Sequence, residues 1–103
     1  MPFKPRTKEF IPTVIKLSRE DLFYWGRILE IHPDSCRFLS QFEMFKDRII
    51  ALSFEINGAE IEDLRGNIQK TARDSEGYFV YEMFLTDETQ KSKIRNILLD
   101  VLS

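Results

Sequence analysis

Asp87-Glu88-Thr89-Gln90-Lys91-Ser92-Lys93-Ile94-Arg95-Asn96-Ile97-Leu98-Leu99-Asp100-Val101-Leu102-Ser103 is the last stretch of the sequence and the one that decides the fold. Its apolar positions Ile94, Ile97, Leu98, Val101 and Leu102 follow the i, i+3, i+4, i+7, i+8 spacing of a helix with one buried face. Thr86 or Asp87 is the expected cap, and Gln90 stands three residues after Asp87, in capping-box position. The rest of the chain is a series of short apolar runs broken by turn signals. Strands first and one helix last is an α+β order: a sheet or barrel closed or lined by a terminal helix.

Working back from the helix, Tyr78 to Leu85 reads as the last strand and Asp74-Ser75-Glu76-Gly77 as the turn before it. Ala59 to Ala72 is a long polar strand that points Ile61, Leu64 and Ile68 inward, and Gly66 suggests a bulge or bend. Asn57-Gly58 is the strongest hairpin signal, since both central residues of such a turn need positive φ. Ile49 to Ile56 is its apolar, β-branched partner. Phe42 to Asp47 is an irregular connection and Cys36 to Ser40 a short strand after the loop Pro33-Asp34-Ser35. Leu22 to Ile31 has both a helical and a strand reading. Leu22, Trp25 and Leu29 would share a helical face, but Gly26 and the cluster Phe23-Tyr24-Trp25 favour a strand. Ser18 to Asp21 is read as a turn, and Phe10 to Leu17 as the first strand, with Pro12 holding its start to an edge or bulge. Six short strands at this spacing predict a small antiparallel barrel, mainly β, with residues 10–103 as one domain and the helix over 87–102. Residues 1–9, with Pro2, Pro5, Lys4, Arg6 and Lys8, are read as a flexible basic arm.

At 103 residues the chain is long enough for one domain, and 43% hydrophobic residues suffice for a core. The net charge of −2 argues against binding a nucleic-acid polymer, which needs a basic face to displace counterions. The single cysteine, Cys36, cannot form an internal disulfide, which favours a reducing compartment. No run has the length of a signal-peptide core or a bilayer span, so a cytoplasmic location without membrane insertion is expected.

Few residues carry recognisable chemistry. Glu30, His32, Asp34 and Cys36 alternate, and in a continuous strand they would share a face able to bind a metal. Pro33 spoils that geometry, and a His beside a buried thiol is the commoner reading, so no metal is expected. A Cys–His nucleophile pair has no visible orienting group or oxyanion site. Phosphate-binding glycine loops, paired-Cys zinc spacings and placed carboxylate pairs are all missing, so the chain is expected to be non-enzymatic, with no catalytic residue and no cofactor. Lys4, Arg6 and Lys8 could close over a phosphate ligand, or could be a solvated tail. Phe42, Met44 and Phe45 either tuck under the barrel, the favoured reading, or form an apolar patch for a partner.

The order of parts resembles the PilZ domain, a bacterial barrel with a terminal helix. Gly26-Arg27-Ile28-Leu29-Glu30-Ile31 resembles its strand entering the ligand loop. Ile49-Ile50-Ala51-Leu52-Ser53-Phe54 with Leu64-Arg65-Gly66-Asn67-Ile68 resembles its central hairpin. Tyr81-Glu82-Met83-Phe84 before the helix resembles its last strand, with Glu82 where glycine is common. The resemblance implies a bacterial signalling domain whose typical members bind cyclic di-GMP. They do so through R-x-x-x-R before the first strand and [D/N]-x-S-x-x-G after the second.

Both motifs are altered here. Lys4-Pro5-Arg6-Thr7-Lys8 carries lysines at the arginine spacing, which keeps charge but loses the planar fork and stacking surface. Glu30 stands for Asp or Asn, His32 for serine and Ser35 for glycine, and Ser35 matters most if its position needs positive φ. The resemblance therefore implies a divergent adaptor with weak or no cyclic di-GMP binding that docks on partner proteins. A homodimer is the default assembly for a small sheet protein with so many aromatics, because twofold pairing is the commonest symmetry. The alternatives are a working cyclic di-GMP receptor using the arm and His32, and a different small barrel holding another ligand.

Overall fold

The computed structural model describes residues 11–17, 23–56 and 58–102; the side chains of Val101 and Leu102 lie outside that description, as do the arm, Phe10, Ser18 to Leu22, Asn57 and Ser103. Six strands, β1 (Ile11–Leu17), β2 (Phe23–Ile31), β3 (Ser35–Ser40), β4 (Ile49–Ile56), β5 (Ala59–Arg73) and β6 (Phe79–Leu85), precede one helix, α1 (Glu88–Leu102). The strands form a closed antiparallel barrel in the order β1-β2-β3-β6-β5-β4. Closure follows because β3 pairs with β6 and β1 with β4, which joins two three-stranded meanders into one cylinder without a free edge.

Alternation fills the interior. Ile15, Leu17, Phe38, Leu52, Phe54, Leu64, Ile68, Tyr81 and Met83 point inward and are buried, so the barrel is a packed core. Leu22–Ile31 is thus a strand where it is described. The β4–β5 hairpin pairs Ile56 with Ala59 across the two-residue Asn57-Gly58 loop, and Gly58 takes φ 83°. The β5–β6 turn is organised by Asp74, whose Oδ1 accepts the amides of Glu76 and Tyr78, each at 2.9 Å.

The long strand β5 serves both meanders, pairing β4 over its first part and β6 over its second. Gly66 is where the two ladders overlap, paired to Ile50 on one side and Leu85 on the other. It is no bulge: a Cβ there would lie 2.7 Å from the Phe84 carbonyl oxygen and 2.9 Å from the Met83 sulfur. The register instead shifts on either side of it, between Leu52 and Phe54 on β4 and between Ile68 and Lys70 on β5. At the first shift Asp63 sits at φ 51° and donates its amide to the Ser53 hydroxyl.

Helix α1 packs against β5 and β6, burying Ile94 and Leu98 in the barrel core with Ile97 at its margin. Asp87 is the cap, its Oδ1 accepting the Gln90 amide at 3.0 Å. The capping box is not completed. The Gln90 side chain turns outward to β5, accepting the Arg65 amide at 3.0 Å and donating to the Asp63 carbonyl at 2.7 Å. It fastens the helix to the bulged part of β5.

Candidate functional site

The loop of the β2–β3 hairpin is built by a third register shift, between Ile28 and Glu30. One extra residue at that point swaps the faces that follow it. Ile31, opposite Cys36, faces the core, and Glu30 faces outward opposite Arg37. Glu30 and Cys36 therefore point to opposite sides of the barrel wall. Cys36 is fully buried, and burial pushes its thiol from 9.0 up to about 12. Such a thiol is inert, and no group of three metal-ligating side chains converges among the described residues.

Glu30 is only 8% exposed although it faces outward. His32 Nε2 lies 2.5 Å from its Oε1, and Arg37 Nη1 lies 3.4 Å from its Oε2. A carboxylate removed from water needs such partners, and the pairing holds His32 across the mouth of the loop. The loop backbone is also engaged. The His32 amide donates to the Ser35 carbonyl at 2.8 Å, and the Leu85 amide donates to the Asp34 carbonyl at 2.9 Å. Ser35 begins β3 opposite Phe84. Positive φ outside glycine occurs, among the described residues, at Asp47 and Asp63, so Ser35 has ordinary strand backbone. The structure therefore brings Glu30, His32 and Ser35 into one loop and adds Arg37, which sequence reasoning missed. Only the register shift reveals Arg37 as the cross-strand neighbour of Glu30. Lys4, Arg6 and Lys8 lie outside the described residues.

The connection from β3 to β4 separates the three partner candidates. Met44 is buried, with 4% exposure, which removes it from any surface patch. It is drawn in by Tyr81, whose hydroxyl accepts the Met44 amide and donates to the Phe42 carbonyl, both at 2.6 Å. Phe42 is partly exposed, with its ring centroid 4.6 Å from that of Tyr24. Phe45 is 70% exposed. The core reading thus holds for Met44 and fails for Phe45.

Two further aromatics lie bare on the barrel wall: Phe23 at 62% and Trp25 at 69% exposure. They alternate on the outer face of β2. The tertiary register sets Val14 of β1 opposite Trp25 and Lys16 opposite Phe23. The only hint in the sequence was the cluster Phe23-Tyr24-Trp25, whose alternate members must face outward once it forms a strand. No helix in the described residues is long and apolar enough to cross a membrane.

No protein-family profile and no curated protein matches the sequence. Solved structures match its fold. The PilZ domain of CeSA from a cellulose-synthesizing bacterium superposes with a TM-score of 0.62 at 8% identity, covering 100% of this chain and 99% of that one. MrkH, described as a c-di-GMP-dependent transcription regulatory factor, superposes with a TM-score of 0.63 at 15% identity. The match covers 98% of this chain and 49% of MrkH, so the chain spans about half of that protein.

Proposed function

Taking this chain as a PilZ-like domain in fold, we propose that it is a non-enzymatic signalling adaptor that works through protein–protein contacts and binds cyclic di-GMP weakly or not at all. The observation that carries this reading is the pairing of Glu30 with His32 and Arg37. In the loop that resembles the nucleotide-binding element, Glu30 stands where the motif has Asp or Asn, and here its carboxylate is engaged from two sides. His32 and Arg37 are already turned onto that carboxylate. A phosphate that recruits His32 and Arg37 would have to break these pairs and leave the Glu30 carboxylate, 8% exposed, without those two partners.

Partner contact is supported by the bare aromatics Phe23, Trp25 and Phe45. The third possibility, a barrel holding another ligand, loses ground because Phe38, Tyr81, Met83 and their neighbours fill the interior. The receptor alternative keeps one point in favour: Arg37 is close to half exposed and stands at the loop.

Isothermal calorimetry with cyclic di-GMP tests the proposal. Saturable heat is not expected up to high micromolar nucleotide. A dissociation constant in the low micromolar range, weakened by Lys8→Ala, would replace the adaptor reading with the receptor reading.

A further inference from the structure

The outer wall of the barrel carries a groove of about 300 Å³ where β1, β4 and β5 run side by side. Register builds it. Ala51 of β4 is paired with Lys16 of β1 on one side and with Arg65 of β5 on the other. Neighbouring strands lie roughly 4.8 Å apart, so these two long cationic side chains start about 10 Å apart with a single methyl group between them. Ile49, exposed and two residues from Ala51, bounds one end of the groove, and Asp63 bounds the other. The register shift between β4 and β5 puts Asp63 there. It sits at φ 51°, its amide donates to the Ser53 hydroxyl, and its carbonyl accepts the Gln90 side chain of α1. Its backbone is thus fixed from two sides, while its carboxylate forms no ion pair among the described residues. The Lys16 ammonium has the Phe23 ring centroid at 6.0 Å, the outer limit of a cation–π contact. Arg65 gives one nitrogen to Asp87 at 2.9 Å, and a guanidinium has further donors.

We propose that this groove binds a small zwitterion, an α-amino acid with an apolar side chain. Its carboxylate lies between Lys16 and Arg65, its ammonium meets Asp63, and its side chain runs over Ala51 toward Ile49. The charges select this ligand. A fatty acid offers Asp63 nothing, and a polyamine offers nothing to the two cations. A phosphate ester sets added negative charge against Asp63 and Asp87. The volume is at the small end of ligand clefts, which suits one amino acid. In strand order the β4–β5 side of the barrel is opposite the β2–β3 loop, so this site is separate from the element that resembles the nucleotide-binding loop. It also stands apart from the adaptor reading.

A titration of the isotope-labelled full chain with L-leucine, followed through backbone amide shifts, tests the proposal. Leucinamide, which lacks the carboxylate, and isocaproate, which lacks the ammonium, are titrated in parallel. Leucine is expected to saturate at low millimolar concentration and to move the amides of Ile49, Ala51, Asp63 and Arg65 most. Either analogue should bind ~10-fold more weakly or worse. Lys16→Ala, at an exposed position, and Asp63→Asn, which keeps a residue tolerant of positive φ, should each weaken leucine by ~10-fold or more. Amide spectra away from the groove confirm that both variants fold. Absence of saturable shifts up to about 50 mM leucine overturns the proposal. Isocaproate binding as tightly as leucine would make the groove a plain anion site and overturns it too, as does leucinamide binding as tightly. Shifts centred on other residues, or an affinity untouched by both substitutions, place leucine elsewhere and sink this groove. Calorimetry with cyclic di-GMP decides the adaptor reading separately, and neither result moves the other.

Discussion

The Tyr81 hydroxyl accepts the backbone amide of Met44 at 2.6 Å. The same oxygen donates to the Phe42 carbonyl at 2.6 Å, so one side chain of β6 fastens two backbone groups of the connection from β3 to β4. Its ring stacks on Phe38 with centroids 5.3 Å apart. Removing the oxygen alone leaves that stack in place and strands a buried donor at Met44. Tyr81→Phe is expected to cost about 1–3 kcal/mol, the penalty of an unsatisfied buried amide. Urea unfolding measures it; a change below about 0.5 kcal/mol would mean that water replaces the phenol.

Gly66 tests why β5 can serve two ladders. Its missing side chain lets the Phe84 carbonyl approach to where a Cβ would be 2.7 Å away, and backbone on a paired strand cannot retreat cheaply. Gly66→Ala is expected to destabilise by about 1–3 kcal/mol through overpacking, despite the better intrinsic propensity of alanine. Gly58→Ala is the comparison: nothing lies within 4 Å of where a Cβ would sit there, so its cost comes from φ 83° alone.

The buried thiol of Cys36 sets an alkaline limit. Unfolded, it ionises near 9.0; folded, burial holds it protonated to about 12. The folded chain therefore binds more protons in that window. The stabilisation is complete below pH 9.0 and is lost as the pH climbs toward about 12. Burial also raises the Tyr81 phenol, with Glu43 adding to the shift and the Met44 amide opposing it, which steepens the same limb. Urea midpoints measured across this range should fall with pH, and Cys36→Ala should flatten part of the slope while lowering the whole curve.

Helix docking separates two roles of neighbouring residues. Asp87 caps α1 and also pairs with Arg65 at 2.9 Å. Asp87→Ala should cost about 1 kcal/mol, whereas Asp87→Asn, which keeps the cap and loses the ion pair, should cost little. Hydrogen exchange in the first turn of α1 distinguishes them; equal losses would assign the effect to the salt bridge.

Rebuilding the nucleotide site is the converse of the calorimetric test. Exchanging Lys4 and Lys8 for Arg, Glu30 for Asp, His32 for Ser and Ser35 for Gly restores the forks and removes the His32 half of the loop's internal pairing. This variant should gain at least about tenfold in cyclic di-GMP affinity over the parent chain, equal to about 1.4 kcal/mol. No gain would show that determinants beyond these five positions were lost.

Much of this protein was decided by local pattern. The stripe Ile94, Ile97, Leu98, the Asn57-Gly58 turn and the alternation along Ile49–Ile56 act within a few residues, where periodicity and turn chemistry suffice. Strand number, the terminal helix and its Asp87 cap follow from them. What tertiary structure alone decided are the register shifts and what they bring together. One extra residue near Leu29 carries Glu30 out of the face it would share with Cys36 and sets it opposite Arg37, and no spacing in the sequence encodes that. Likewise Met44 is buried and Phe45 bare because a hydroxyl from β6 reaches one amide and not its neighbour. Trp25 stands exposed on the outer wall opposite Val14, one pair from Lys16, because of the register of β1 on β2. Local propensity sets which residues form a strand; cross-strand register, a property of the closed barrel, sets which side chains meet.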